Sequence, residues 1–377
     1  MKNLKFLLTL LIALATSLTA PAADEAAPDS LAPLSGNWLQ QLAQTGFRIN
    51  DPRIHYPRFA NFCRKVYNWG DQTFNSYNTD YVVGTGKNWK ITANASAWAQ
   101  SYGYLFDPFN EEHRKEEGRV IIRSNLNYDM GVHLSFMAVS IGYDWNINQL
   151  TGHNHAPRST FNFAFNCARF SAELQSQHTE GNTYIERFGR YNDGRRIRVP
   201  LNDVNTSLFS VRAYYYFNHR KYAQAAVYAF SKYQKRSAGT WMLGAAYARR
   251  RTEIDFTGLP DDMLAAAPQG LPQLSRFNFH DFELLGGYGY NAVMPHNWVF
   301  NFTLLPSVGY RRSLNAGKRN FSEMVSTGGY LRTGFVYNHR AFFANIVYNT
   351  NVCLVFDSQY SFMSANHHLA LTVGARF

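Results

Sequence analysis

The stretch "NWVFNFTLLPSVGYRR" (residues 297–312) alternates from end to end. Its even positions read Trp298, Phe300, Phe302, Leu304, Pro306, Val308 and Tyr310; its odd positions include Asn297, Asn301, Thr303, Ser307 and Gly309. Period two marks a β-strand, whose successive side chains point to opposite faces. One face here is wholly apolar and begins and ends in aromatic rings.

Working outward, "FELLGGYGY" (282–290), "TFNFAFNC" (160–167), "LFSVRAYYYF" (208–217), "RVIIRSNLNY" (119–128) and "AFFANIVYN" (341–349) repeat the design. A soluble sandwich also alternates, but three features favour a membrane barrel. The segments run well beyond the usual strand length of ~5–6 residues. Aromatic residues gather at their ends, as interfacial girdles require, and the opposite face is polar with small residues. In lipid every backbone N–H and C=O must be paired within the protein, which an all-β chain achieves only by closing. No segment after the leader holds ~18 consecutive apolar residues, which excludes a transmembrane helix bundle. The expected fold is therefore all-β, a closed antiparallel transmembrane barrel of about 12 strands, with 14 as the alternative.

The opening "MKNLKFLLTLLIALATSLTAPAAD" places Lys2 and Lys5 before an apolar run and then Ala20-Pro21-Ala22. That order predicts a secretory signal peptide over residues 1–22. An Ala- and Pro-rich linker follows at 23–34. Helical spacing of Trp38, Leu39 and Leu42, then Phe59, Phe62 and Val66, predicts a helical segment over 35–75, at the periplasmic mouth or as a plug. The barrel is expected over 76–377. The chain carries a net charge of +11, and its basic residues are scattered apart from "GRRIR" (194–198). Cys63, Cys167 and Cys353 are three and widely spaced, without zinc or C-x-x-C spacing.

Short periplasmic turns and long external loops set the expected topology. The turns are placed at "DMG" (129–131), about 176–180, "NHR" (218–220), "AVMPHN" (292–297) and "NHR" (338–340). The barrel strands before 218 fall near 88–106, 118–129, 131–147, 160–175, 181–188 and 204–217, and five more follow 278. One conflict stands: 221–256 reads as two strands, yet alternation of sides permits a single crossing. One of its pieces must lie inside or beyond the barrel. Counting "DYVVGTG" (80–86) gives the 14-stranded alternative. "YFNHRKYAQAAVY" (216–228) and "VYNHRAFFANIVY" (336–348) match in spacing, which suggests a faint repeat of hairpins, with Asn at each turn tolerating positive φ.

The final stretch "HHLALTVGARF" (367–377) puts Leu369, Leu371, Val373, Ala375 and Phe377 on one face. Leu369, Leu371 and Val373 are expected to face lipid, and with Phe377 to form the signal read by barrel-assembly machinery. On that reading Phe377→Ala impairs membrane assembly.

Candidate chemistry is sparse. His153 and His155 form an H-x-H pair that could ligate a metal, with Asp144 or His113 as conceivable further ligands. Arg195, Arg196 and Arg198 in an external loop suit lipid phosphates or anionic glycans. His219 and His339 read as turn residues, and His133 shares a strand face with Ser135. No G-x-S-x-G, H-E-x-x-H or P-loop spacing occurs.

Taken together, "KVYNWGDQTFNSYNTDYVVGTGKNWK" (65–90), "GYDWN" (142–146) and "QKRSAG" (234–239) resemble an uncharacterised domain-of-unknown-function family of exported Gram-negative, Bacteroidota-type proteins. The resemblance spans most of the chain after residue 50. It implies an outer-membrane β-barrel and brings no catalytic or ligand residue with it.

The functional expectation is a non-enzymatic outer-membrane barrel, either a small pore or a structural or surface element. Its partners are outer-membrane lipid, lipopolysaccharide and the assembly machinery, with no cofactor and no nucleic acid. The alternative is an outer-leaflet lipid-modifying enzyme, an acyl hydrolase or acyltransferase. That alternative requires a Ser–His–acid cluster on the membrane-facing wall at the outer girdle.

Overall fold

The computed structural model of the chain describes residues 33–74, 77–106, 118–151, 158–268, 271, 273–313, 323–356 and 360–377. The signal-peptide segment, His153, His155 and His113 lie outside the described residues. Two units divide the chain, one through Trp69 and one from Gly70 to Arg376. In the first, helix α1 (Trp38–Gln44) opens with a capping box: the Asn37 side chain accepts from the Gln40 amide, and the Gln40 side chain accepts from the Asn37 amide. Helix α2 (Arg58–Phe74) follows Pro57 and runs through Gly70. A helix-interior glycine costs only about 1 kcal/mol.

In the second unit the strands are β1 (Val82–Gly84), β2 (Trp89–Phe106), β3 (Arg119–Ser124), β4 (Asn127–Phe136), β5 (Val139–Asn146) and β6 (Arg158–Asn166). Next come β7 (Phe170–Glu180), β8 (Thr183–Phe188), β9 (Val199–Leu201), β10 (Val204–Tyr216), β11 (Lys232–Gln234) and β12 (Ala238–Asp255). A short helix, α3 (Asp261–Ala265), precedes β13 (Leu274–Met294), β14 (Trp298–Ser313), β15 (Glu323–His339), β16 (Phe342–Phe356) and β17 (Tyr360–Arg376). Twelve of these, β2, β4–β7, β10 and β12–β17, form one antiparallel barrel, and the β17–β2 pairing closes it.

The register fixes the geometry of the wall. Starting from Ile91 and following partners through Leu134, Ile141, Phe163, Leu174, Val211, Tyr247, Phe282, Tyr310, Val325, Phe356 and Ser361, the row returns to β2 at Leu105. It comes back fourteen residues above its start. For twelve strands that shear corresponds to a tilt of about 40°. The outward face is the apolar one: Leu304, Val308 and Tyr310 are exposed, as are Leu369, Leu371 and Val373. The inward face carries Asn, Thr, Ser and charged residues at low exposure.

The barrel has a turn end and a loop end. At the turn end the chain reverses at 137–138, 167–169, 295–297 and 340–341. His296 and Asn297 both take positive φ (60° and 67°), the pairing that a tight hairpin of type I′ needs.

Twelve strands agrees with expectation, but several boundaries do not. "DMG" (129–131) lies inside β4 rather than at a turn; Gly131 is there because the Asp144 carboxylate occupies the space a Cβ would fill, 1.8 Å away. The turn falls at Met137 instead, with φ 55°. Residues 176–180 are the end of β7, and 183–188 pairs with β3 and β9 outside the twelve-strand circuit. "DYVVGTG" supplies only β1, which pairs with β11. At the second NHR the positive φ belongs to Arg340 (47°) and not to Asn338, which faces the interior from β15. The paired NHR stretches also diverge: 336–348 is the β15–β16 hairpin, whereas 216–228 leaves β10 for the lumen.

The conflict over 221–256 resolves in the lumen. β12 is the single crossing, and residues 221–237 fold inward at the turn end, burying Tyr222, Ala223, Ala225, Ala226, Val227 and Phe230. We call this segment the plug. Away from it, β3, β8 and β9 form a flap that pairs with the loop end of β2. Val120, Ile122, Ile185 and Phe188 on the flap are fully buried against inward-facing residues of seven barrel strands. Among those are Tyr102, Val204, Ile254, Phe279, Met324, Val355 and Phe362. Among the described residues an apolar core thus joins the flap to β2, β10, β12, β13 and β15–β17 at the loop end.

Candidate functional site

Between flap and plug lies a polar chamber of about 350 Å³. Its charged lining comprises Asp129, Asp144, Glu173, Arg158, Arg212, Arg250 and Arg332, with His133 and His368 beside them. Strand parity positions them all, since each occupies the inward set of its strand.

Asp144 on β5 is the hub of one wall. Its Oδ1 accepts from Asn94 of β2 (2.7 Å) and lies 3.2 Å from His133 Nε2 on β4, while Oδ2 accepts from Asn162 of β6 (2.7 Å). Four neighbouring strands are joined through a single carboxylate. Two glycines make room: Gly131 stands opposite Asp144, and Gly142 stands opposite His133, whose ring atoms come within 2.3 Å of where a Cβ would be. Arg158 stacks over Trp98, 4.0 Å from its ring centre, donates to Gln177 (3.1 Å) and sits 3.4 Å from Asp129. Across the chamber Arg332 pairs with Glu173 (3.2 Å) and lies 3.5 Å above the Tyr228 ring.

This network has little reactive chemistry. Ser135, which shares a face with His133, bonds Ser140 at 2.9 Å rather than the imidazole. Asp144 orients His133 without an adjacent nucleophile in hydrogen-bond contact among the described residues. Thr160, Asn349 and Asn366 each present a side-chain oxygen with no protein partner among those residues, as befits a wet interior. The described residues hold no cluster of three or more His, Cys, Asp or Glu side chains suited to a metal.

The plug is held by donors that sequence reading had not singled out. A loop without a ladder has bare carbonyls, and buried ones need partners. Asn291 donates to Ala223 O (3.0 Å), Asn338 to Lys232 O (3.3 Å) and Asn345 to Val227 O (3.3 Å). Lys90 donates to Ala229 O. Arg376, 2% exposed, donates to Phe230 O (2.6 Å), to Arg340 O (2.7 Å) and to Asn338. Tyr228 closes the set by donating to Asn301 (2.5 Å). The available signal was parity: each wall donor sits on the inward set of an otherwise readable strand.

The predicted arginines lie in the connection between β8 and β9 of the flap. Arg195, Arg196 and Arg198 are exposed. Arg196 is 3.7 Å from Glu186, and Arg198 donates to Asn125 (2.6 Å) while covering the Tyr184 ring at 4.3 Å. Leu369, Leu371 and Val373 occupy the outward face of β17, and Phe377 follows the strand's last residue.

A model of a domain of unknown function (DUF4421) matches residues 76–377. No curated protein sequence matches the chain. Among solved structures, the chain is similar to the outer membrane protease OmpT from Escherichia coli, with 8% identity, TM-score 0.34, and coverage of 78% of this chain and 98% of that one. Outer-membrane-expressed OmpT of Vibrio cholerae gives 6% identity, TM-score 0.30, and coverage of 74% and 98%. The P. putida toluene transporter TodX gives 7% identity, TM-score 0.25, and coverage of 77% and 90%.

Proposed function

The chain belongs to the DUF4421 family, and from that premise we propose that it is an outer-membrane barrel serving as a closed surface element rather than a diffusion pore. One observation carries the reading: inward-facing residues of seven strands meet the flap in a single apolar core at the loop end. Ions cross such a core only after dehydration, a cost its apolar side chains do not offset. The polar chamber beneath is then a hydrated, cross-braced interior that holds the wall in register.

Long connections at the loop end and short turns at the other orient that end outward and the turn end to the periplasm. On the outward wall, Arg249, Arg251 and Arg312 stand just beyond the ring formed by Phe209, Tyr247, Phe282 and Tyr310, and Arg276 stands further along β13. Guanidinium groups at that height suit the phosphates of outer-leaflet lipid or lipopolysaccharide, to which Arg195, Arg196 and Arg198 add charge above.

Conductance tests the proposal. The purified full chain in planar bilayers is expected to pass no steady current above background, and Phe188→Ala to introduce fluctuating current by loosening the flap. Stable unitary currents from the unaltered chain would overturn it.

A further inference from the structure

The outward wall carries one constellation that a closed surface element has no use for. On β7 the side chains of Leu174, Ser176, His178 and Glu180 share the outward face, and on β10 those of Ser207, Phe209, Val211 and Tyr215 do. His178 and Ser207 are direct cross-strand partners in the ladder. The imidazole Nδ1 lies 2.9 Å from Ser207 Oγ, and Nε2 lies 2.8 Å from Glu180 Oε1. A carboxylate only accepts, so Nε2 carries the proton it gives to Glu180 and Nδ1 is left with a lone pair for the serine hydroxyl. That is the arrangement of an activated nucleophile: hydroxyl, base, and an acid that orients the base.

Position specifies the substrate. Ser207 and Phe217 lie ten residues apart on the same outward face, with Phe217 exposed beside Tyr215 at the turn end. At ~3.3 Å per residue and a tilt of about 40° the separation is roughly 25 Å of membrane height, the thickness of the apolar band of such barrels. Ser207 also lies just beyond Phe209 in the outer aromatic ring. The nucleophile is therefore level with the interface, where the ester carbonyls of outer-leaflet lipids reside. On its other flank Ser207 is in register with Arg251, an outward-facing guanidinium placed to hold a lipid phosphate or a developing oxyanion.

We propose that Ser207, His178 and Glu180 form an acyl-ester hydrolysis site on the membrane-facing wall, acting on acyl chains of outer-leaflet lipid. Ser207 Oγ attacks the ester carbonyl carbon as its proton passes to His178 Nδ1. The tetrahedral oxyanion collapses, the acyl carbon–oxygen bond to the lipid breaks, and the departing alkoxide takes the proton from His178. An acyl-Ser207 ester and a lyso-lipid result. Water then attacks the acyl carbon, its proton moving to His178 and on to Ser207 Oγ, which releases a fatty acid. Glu180 balances the imidazolium in both steps. This activity is independent of whether the lumen conducts.

The test uses the full chain folded in detergent, with the heat-dependent shift on gels confirming the barrel in every variant. A fluorophosphonate probe is expected to label Ser207, located by mass spectrometry. Mixed micelles of phosphatidylethanolamine form one arm and lipopolysaccharide the other; release of fatty acid in one arm identifies the lipid. Ser207→Ala and His178→Ala are expected to lower release by about 10³-fold or more, and Glu180→Gln by about 10–100-fold. Ser159→Ala is expected to leave release unchanged, since Ser159 faces His178 from the opposite strand without holding its ring. Release by Ser207→Ala at the unaltered rate, or no release in either arm together with no label on Ser207, overturns the proposal.

Discussion

The two ends of the lumen are filled by opposite means. At the loop end the flap satisfies its own backbone through the β2–β3–β8–β9 ladder, so its side chains are free to be apolar. Val120, Ile122, Ile185 and Phe188 then pack like the core of a soluble domain. At the turn end the plug is a loop with only the short β1–β11 pairing, and the wall must supply donors to its carbonyls. Inward-facing residues there are accordingly Asn291, Asn301, Asn338, Asn345, Lys90 and Arg376, with apolar contacts such as Phe230 stacked on Phe343 at 4.1 Å between them. Where the inserted segment brings its own ladder, the wall can be greasy; where it does not, the wall must be polar. The first closure shares a packed core with the wall, and the second hangs on single wall-to-loop hydrogen bonds.

That distinction makes ordered predictions. Phe188→Ala should have the largest effect, about 3–5 kcal/mol off the unfolding free energy, because it leaves a cavity in a packed core. Urea titration in detergent micelles checks it. Asp281→Ala should come close behind at about 3–5 kcal/mol, since it removes the carboxylate that balances the buried Arg311 guanidinium, 1% exposed and bonded to Asp281 at 2.5 and 2.9 Å. The double variant Asp281→Leu with Arg311→Met should recover most of that loss.

Arg376→Ala should cost about 1–3 kcal/mol, and within residues 221–237 it acts by leaving the Phe230 carbonyl of the plug without this donor. Hydrogen exchange should rise at Val227–Ser231 with the β13–β16 amides unchanged. Equal acceleration across the wall would erase the proposed difference between the two ends. Asn345→Ala should show the same local pattern at about 1 kcal/mol.

Acidification gives the smallest effect. Burial, reinforced by the nearby Arg169 charge, holds the pKa of His219 at the turn end below its usual value. The unfolded chain therefore binds this proton first, and stability contributed here is present above about pH 6.5 and declines as pH falls through that range. His219→Asn should flatten that small pH dependence in the same titration.

Much of the barrel was legible because period two survives wherever one face meets lipid. The outward rows of β14 and β17 were readable residue by residue. Three kinds of position resisted. Gly131 resembled a turn glycine, although its role is close approach by Asp144. "SQHTE" at 176–180 looked like a polar turn because β7 leaves the apolar band for the interface there, and polarity at the interface carries no topological information. "YAQAAVYAF" alternates like a strand while folding as a buried loop, and only a count of crossings exposed it. The chamber was legible as polar, but its pairings were not, because each joins residues far apart in sequence. The Ser207–His178 pair was hidden for the same reason: 29 residues separate two side chains that the ladder places face to face.

One pairing has a consequence for assembly. Arg376 and Lys90 are register partners across the β17–β2 junction, and both grip plug carbonyls. Phe230 therefore waits for a hand 146 residues further along the chain. Until the first and last strands zip together, those two clasps stand on separate edges of an open sheet and cannot act as a pair. Zipping the cylinder and latching its interior thus become one event, so a barrel left unjoined also has an unlatched inner loop, a visible mark of an unfinished molecule.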